Sequence, residues 1–130
     1  HSETIRSKDI EPILFMTWPY KNKPEMQNQL EEEFFKVAKI NKLRMIPAGR
    51  AFLNINQNYP DINLYTEDLR HPSKEGTYLA ALMIFTTLSN KSPVGNKYTM
   101  GLKIEVARTL QEVAWKTHKD FQNMSQGSGL

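Results

Sequence analysis

A continuous apolar run, Ile13 to Trp18, most constrains the fold of this chain, and Pro19 closes it. Such a run is typical of a strand that is covered on both faces of a parallel sheet. Because a parallel sheet also needs its edges protected, we expect further strands beside this one. We expect those strands to lie upstream of residue 1.

The residues that follow alternate between helix and strand patterns, which indicates an α/β layer architecture with right-handed crossovers. Pro24 opens an amphipathic helix through about Ile40. A second short strand is predicted from Leu43 to Ile46, and Ala48 to Asn58 fits either a helix or an irregular loop. The positions of the first helix predicted to pack are Met26, Leu30, Phe34, Val37 and Ile40.

The second half of the chain is predicted to hold one further short strand and two helices. Ile62 to Tyr65 is the strand candidate, and Ser73 is a natural N-cap for a helix from Lys74 to about Leu88. That helix is apolar nearly all round, so we expect it to be buried between layers. A last helix is predicted from about Met100 to Phe121, and we expect the tail, Ser125 to Leu130, to be mobile.

The composition fits one globular domain, which we place at residues 1 to 124. At 130 residues and 39% apolar, the chain is long enough for a single core and too short for two. Its net charge is +3, but the basic residues are scattered among 14 acidic ones, so we expect no nucleic-acid partner. No stretch approaches the roughly 20 apolar residues of a membrane span. The absence of cysteine leaves the compartment open, and no cofactor is expected.

The most informative chemistry lies in Asp68-Leu69-Arg70-His71-Pro72-Ser73, directly before a helix signal. In a short loop, an aspartate can accept from Nδ1 of a histidine three residues later, which fixes the tautomer and leaves Nε2 free to take a proton. Asp68 and His71 therefore resemble half of a catalytic triad. Spacing alone also allows a surface histidine with a chance acidic neighbour. No Gly-x-Ser-x-Gly, Gly-Asp-Ser or cysteine nucleophile occurs in the sequence, so the chain is incomplete for this chemistry.

Four short blocks of this sequence are informative when their order and spacing are considered together. They are Ile13 to Trp18, Ile46 to Phe52, Leu64-Tyr65, and Asp68 to Ser73 continuing through Gly76 to Ala81. Together they resemble the C-terminal half of the SGNH (GDSL-type) hydrolase family over about residues 12 to 95. The most specific block is Asp-x-x-His-Pro followed by a helix of small residues, matched by Asp68, His71, Pro72, Gly76 and Ala80. The helix from Met100 resembles a terminal extension of some bacterial members more loosely.

This resemblance implies a flavodoxin-like three-layer αβα fold with a parallel sheet, of which the chain holds the C-terminal part. It also implies a serine hydrolase of acyl esters, often acetylated carbohydrates or lipids. His71 would be the general base that later protonates the leaving alcohol, and Asp68 would orient it. The serine and the oxyanion donors of the family lie in earlier blocks, so the N-terminal half of the domain or a partner chain would supply them. Leu69 and Arg70 stand where glycine and small or apolar residues are more usual.

Other interpretations are also consistent with the sequence. A noncatalytic α/β binding module, or a degenerate hydrolase relative, is the main alternative function. A metal-dependent hydrolase is less favoured because the acid-histidine pair lacks a third ligand. Trp18 and Tyr20 follow the end of a strand, where open α/β sheets place their sites, and with Arg70 they are candidate substrate-binding residues. For the two aromatic residues the alternative is core packing, and Ser73 is expected to be an N-cap and not a nucleophile.

Overall fold

The computed structural model describes the backbone of residues 11 to 128 and the side chains up to residue 124. This part of the chain is mixed α/β, mostly helical, with a two-stranded parallel sheet. The elements are β1 (Ile13–Phe15), α1 (Met26–Asn41), β2 (Arg44–Ile46), α2 (Ala48–Asn58), α3 (Lys74–Ser89) and α4 (Ile104–Ser128). No helix among them combines the length and the apolar character that a membrane crossing requires.

Strand β1 is shorter and less buried than the apolar run predicts. Strand pairing covers only Ile13 to Phe15, and all three residues are half-buried. The sequence predicts a strand that extends to Trp18 and is covered on both faces. In the described residues β1 pairs with β2 alone, so one of its edges has no neighbouring strand. Beyond Phe15, the Met16 carbonyl accepts from the Gly49 amide (3.0 Å) at the start of α2, and the chain leaves the sheet.

Alternate side chains of the sheet enter two different apolar clusters, as the period of a strand requires. Phe15 and Ile46, which are partners in the register, face the larger cluster, formed with α2, α3 and α4. Leu14 and its partner Met45 face a smaller cluster, with residues of α1 and Phe121 of α4. Both faces of this short sheet therefore contact helices.

Helices α1 and α2 resolve two predictions. The first helix is present and Phe34 packs as predicted, but Val37 and Ile40 are exposed. Phe35 and Ala38 pack beside Phe34 in their place. The residues from 48 to 58 form a helix and not an irregular loop. Its start lies against the backbone that follows β1, where a Cβ at Gly49 would be only 2.0 Å from the Thr17 carbonyl oxygen.

The N-terminus of α3 confirms the predicted cap. The Ser73 hydroxyl accepts from the Gly76 amide (3.2 Å) and donates to the Asn63 carbonyl (2.7 Å). Gly76 is required for packing, since a Cβ there would lie 2.2 Å from the Leu64 carbonyl oxygen. The prediction of burial between layers is wrong on one side of the helix: Ile84, Phe85 and Leu88 are 39%, 42% and 50% exposed. We call these three residues the α3 stripe.

The last helix differs from its prediction at both ends. It begins at Ile104 and not at Met100, because Met100 and Gly101 have positive φ angles of 56° and 78°, which no α-helix contains. It continues to Ser128, so most of the predicted tail from Ser125 is helical, and the remainder lies outside the described residues. Its packing face holds the buried residues Leu110, Val113, Ala114, Thr117 and Phe121.

The predicted strand from Ile62 to Tyr65 does not form. Its only ladder contact in the described chain is one antiparallel bridge between Tyr65 and Pro72. The Leu64 carbonyl accepts from the Ser73 amide (2.8 Å), so the backbone of this segment pairs with residues at the far end of the following loop and not with a strand. It therefore shapes that loop and does not extend the sheet.

The α3 stripe predicts self-association of the isolated chain, because exposed contiguous apolar surface favours contact with other molecules. We expect the double variant Phe85→Glu, Leu88→Lys to raise the monomer fraction in sedimentation velocity while leaving Tm nearly unchanged. Ile104→Lys is the matched control, since Ile104 is 65% exposed on another helix. A wild-type chain that is fully monomeric at high concentration would contradict this prediction.

Candidate acid-base site

The candidate site is a tight loop of residues 66 to 72, which we call the acid-base loop. It is closed across its base by the bridge between Tyr65 and Pro72 and by a hydrogen bond from the Thr66 amide to the His71 carbonyl (2.8 Å). Within the loop, the Leu69 amide donates to the Thr66 carbonyl (3.0 Å). The loop therefore has a defined shape of its own, directly before the capped N-terminus of α3.

The carboxylate of Asp68 organises this loop. Its Oδ1 accepts from the backbone amides of Arg70 (2.9 Å) and His71 (3.0 Å) and from the Thr66 hydroxyl (2.8 Å). These donors all favour the ionised form. The backbone amide and the ring of His71, followed by the Arg70 amide and the Thr66 hydroxyl, hold the pKa of Asp68 well below its usual range. The acid is therefore ionised throughout the neutral pH range.

Asp68 and His71 are in direct contact, as their spacing predicts. Asp68 Oδ2 is hydrogen-bonded to His71 Nδ1, while Oδ1 accepts from the backbone amides of Arg70 and His71. A carboxylate accepts, so Nδ1 carries the proton and Nε2 of the neutral ring presents a lone pair. In the described part of the chain Nε2 has no hydrogen-bond partner, and the His71 side chain is 78% exposed. The ring is thus held in the tautomer that a general base needs, with its basic nitrogen accessible.

Leu69 bears the backbone strain of this turn. It has a φ of 62°, in the left-handed region, where a residue with a Cβ costs roughly 1–2 kcal/mol and glycine does not. The Leu69 carbonyl accepts from the Lys21 amide (2.9 Å), which helps to fix the conformation. The strained position lies between the acid and the base.

The structure brings the three predicted substrate-binding residues to the acid-base loop. Trp18 Nε1 donates to the Arg70 carbonyl (3.1 Å), and the Arg70 guanidinium carbon lies 4.7 Å from the centre of the Tyr20 ring. Trp18 also stacks on Phe52 of α2, with ring centres 4.3 Å apart. These contacts are all within the protein. They place Trp18 and Tyr20 beside the candidate site, and they engage the polar group of Trp18 there.

Sequence reasoning missed Tyr65 as a support of the site. Its side chain is 1% exposed, its hydroxyl donates to the Pro19 carbonyl (2.8 Å), and Asn56 Nδ2 donates to the same hydroxyl (3.2 Å). Burial raises the pKa of Tyr65, so it stays protonated and keeps donating. Pro19 is 46 positions away in the sequence, and no local pattern links the two residues.

Hydroxyl groups near the site are already engaged. Ser73 caps α3, as described above, and the Thr66 hydroxyl donates to Asp68. Among the described residues, no serine hydroxyl is hydrogen-bonded to His71. Within the described residues, the acid-base pair therefore has no adjacent serine nucleophile.

No group of three or more metal-ligating side chains occurs in the part of the chain that the structure describes. His118 is buried on α4, and its Nε2 is hydrogen-bonded to Asn90 Oδ1 (2.8 Å), at the left-handed C-cap of α3. Burial, together with the nearby Arg44 charge, lowers the pKa of His118. His118 therefore joins two helices as a neutral ring.

A cavity of about 320 Å³ lies apart from the acid-base loop, between α4 and the segment before it. Its lining includes Lys97, Arg108 and Gln111. The buried Gln111 side chain accepts from the Gly95 amide (3.0 Å) and donates to the Tyr78 hydroxyl (2.9 Å) and the Asn96 carbonyl (3.0 Å). The polar atoms of Gln111 therefore serve the fold.

Comparison with family models, curated proteins and solved structures found no match for this chain. The functional interpretation of the acid-base loop therefore depends on its own residues and geometry.

The low pKa of Asp68 predicts a pH-dependent contribution to stability. Because the folded-state pKa lies below the unfolded value of about 4, the contribution is complete above that value and is lost as the pH falls through it toward the folded pKa. We expect Asp68→Asn, which keeps the shape without the charge, to lower Tm near neutral pH. We expect the Tm difference from wild type to shrink between about pH 5 and about pH 2.

Asp120→Asn is the control for this measurement. Asp120 pairs with Lys116 on the exposed surface of α4 (2.8 Å), and such pairs contribute little to stability. Its Tm difference should therefore be small at every pH. A Tm difference for Asp68→Asn that does not change with pH would show that the charge of Asp68 has no structural role.

Proposed function

We propose that this chain is the C-terminal portion of an SGNH-type serine ester hydrolase and supplies the acid and the base of a Ser-His-Asp triad. The observation that carries the proposal is the hydrogen bond from His71 Nδ1 to Asp68 Oδ2, with Nε2 left accessible. The nucleophilic serine and the oxyanion donors belong to a portion outside this chain, either the N-terminal half of the same domain or a partner chain.

The geometry supports a definite division of labour. His71 Nε2 would remove the proton from the serine hydroxyl as its oxygen attacks the ester carbonyl, and would then give that proton to the leaving alcohol. In the second half of the reaction, His71 would act on a water molecule in the same way. Asp68 would remain ionised throughout, hold Nδ1–H and stabilise the imidazolium that forms in each step. The low pKa of Asp68 supports this role, because an acid that took the proton itself would release the ring.

A flavodoxin-like three-layer arrangement is the architecture we propose for the complete domain. Two observations support it: the two faces of the short parallel sheet contact different helical clusters, and the connection between its strands contains helix α1. The missing portion would add strands at the edge of β1 that has no partner strand among the described residues. The three residues of β1 are half-buried. It would also cover the α3 stripe, which is apolar and exposed.

Ester substrates follow from the same proposal. An acyl ester, on a carbohydrate or a lipid, is the class that the resemblance implies, and nothing in the site requires a cofactor. His71 is 78% exposed, so the missing portion and the substrate would complete the walls around it. Arg70 of the loop, whose guanidinium lies over the Tyr20 ring, would form part of that wall together with Tyr20.

The proposal predicts large losses of turnover in the complete, active protein. Because triad members act as one unit, His71→Ala should lower kcat for a simple acyl ester by roughly a thousandfold or more, and Asp68→Ala by a similar or smaller factor. Glu67→Ala is the matched control, because Glu67 is an exposed acid of the same loop with no hydrogen bond among the described residues. It should keep kcat near the wild-type value.

Two results would contradict the proposal. One is an unchanged kcat in both triad variants, which would indicate that this chain is a noncatalytic binding module and that the esterase activity arises elsewhere in the complete protein. The other is activity that survives removal of the serine and is abolished by a chelator, which would indicate a metal-dependent hydrolase.

A further inference from the structure

Positions 18 to 21, which begin two residues beyond Met16 in the chain that follows β1, lie along the acid-base loop, and we call them the post-strand segment. Two hydrogen bonds connect this segment to the acid-base loop, and a third connects it to Tyr65, directly before the loop. Trp18 Nε1 donates to the Arg70 carbonyl (3.1 Å), the Lys21 amide donates to the Leu69 carbonyl (2.9 Å), and the Tyr65 hydroxyl donates to the Pro19 carbonyl (2.8 Å). Two of these bonds end on the carbonyls of the two residues that separate the acid from the base.

Each of those carbonyls belongs to a peptide group whose amide is bound to the catalytic acid. The peptide between Leu69 and Arg70 accepts from Lys21 and donates to Asp68 Oδ1 (2.9 Å). The peptide between Arg70 and His71 accepts from Trp18 and donates to the same oxygen (3.0 Å). A peptide group is planar and its C=O and N–H point in opposite directions, so fixing one end fixes the other. Consecutive hydrogen bonds through a peptide also strengthen one another.

The ring of Trp18 packs in the apolar core. It stacks on Phe52, with ring centres 4.3 Å apart and planes 4° apart, and it meets Phe15 of β1 edge-on at 6.1 Å. Phe52 is fully buried in the larger cluster. The indole N–H is therefore a donor at a fixed place, and the Arg70 carbonyl is positioned against it.

We propose that Trp18 is a positioning residue, which sets the geometry of the Asp68–His71 pair through the peptide between Arg70 and His71. This inference deepens the proposed function and rests on it for its catalytic meaning. It replaces the expectation that Trp18 binds substrate, because its polar group is already used inside the protein. Arg70 contributes its carbonyl to this arrangement, whatever its side chain contacts.

The first test does not depend on activity. In the wild-type chain, ¹⁵N spectra of the His71 ring should show the tautomer protonated at Nδ1, with a downfield Nδ1 proton that exchanges slowly with water. Trp18→Phe retains an aromatic ring over Phe52 but removes the donor. We expect it to shift the ring toward a mixture of tautomers and to speed the exchange of the Nδ1 proton by about tenfold, the factor that corresponds to one lost hydrogen bond.

Two further variants of this chain distinguish a positioning role of Trp18 from a general loss of folded structure. Trp115→Phe is the matched control, because Trp115 lies on α4 and stacks on His118; it should leave the His71 signals unchanged. Replacing the indole of Trp18 by 3-benzothienylalanine exchanges only the N–H for sulfur and keeps the ring area. It should reproduce the effect of Trp18→Phe even if the Phe variant folds poorly. Unchanged His71 signals in the benzothienyl protein would overturn the inference.

Turnover of the complete active protein gives an independent result. Trp18→Phe should lower kcat for an acyl ester about tenfold and leave KM nearly unchanged, because the lost contact orients the base and does not touch substrate. A raised KM with an unchanged kcat would instead make Trp18 a substrate contact and overturn the inference. If the complete protein has no esterase activity, the proposed function fails, whereas the His71 spectra still decide whether Trp18 positions the pair.

Discussion

The carboxylate of Asp68 is the group on which the rest of the candidate site depends. One oxygen accepts from two consecutive backbone amides and from Thr66, and the other is bound to the ring of His71. The same side chain therefore closes the loop and fixes the histidine tautomer. A loop with Leu69 in the left-handed region needs such compensation, and ionised acceptors form the stronger class of hydrogen bond. The negative charge of Asp68 therefore stabilises the fold of the loop and would also serve the proposed chemistry.

Contacts with the buried core fix the conformation of this exposed loop at two places. At one end, Gly76 allows α3 to approach the Leu64 carbonyl, so the residues before and after the loop are packed together. At the other, Trp18 and Tyr65 extend from the aromatic group around Phe52 to the backbone near the loop. An accessible base on a well-supported loop is the arrangement that a general base requires.

The sequence predicts local features of this protein well and distant ones poorly. The contact between Asp68 and His71 follows from a spacing of three residues, and the Ser73 cap follows from its place before a helix. The hydrogen bond from Trp18 to the carbonyl at position 70 spans 52 positions, and no periodicity encodes it. The late start of α4 depends on the positive φ of Met100, a residue with no turn preference. The apolar run from Ile13 to Trp18 predicts more burial than β1 shows, because hydrophobicity along the sequence does not reveal how many other elements pack against a strand.

The most direct test of the central claim is to label the complete source protein with a serine-directed fluorophosphonate and to locate the label by intact mass and peptide mapping. The account predicts one modified serine outside the 130 residues of this chain, and a loss of that labelling in the His71→Ala variant, because the serine needs the base to react. Absence of any label, or labelling that persists without His71, would contradict a triad built from this acid and this base.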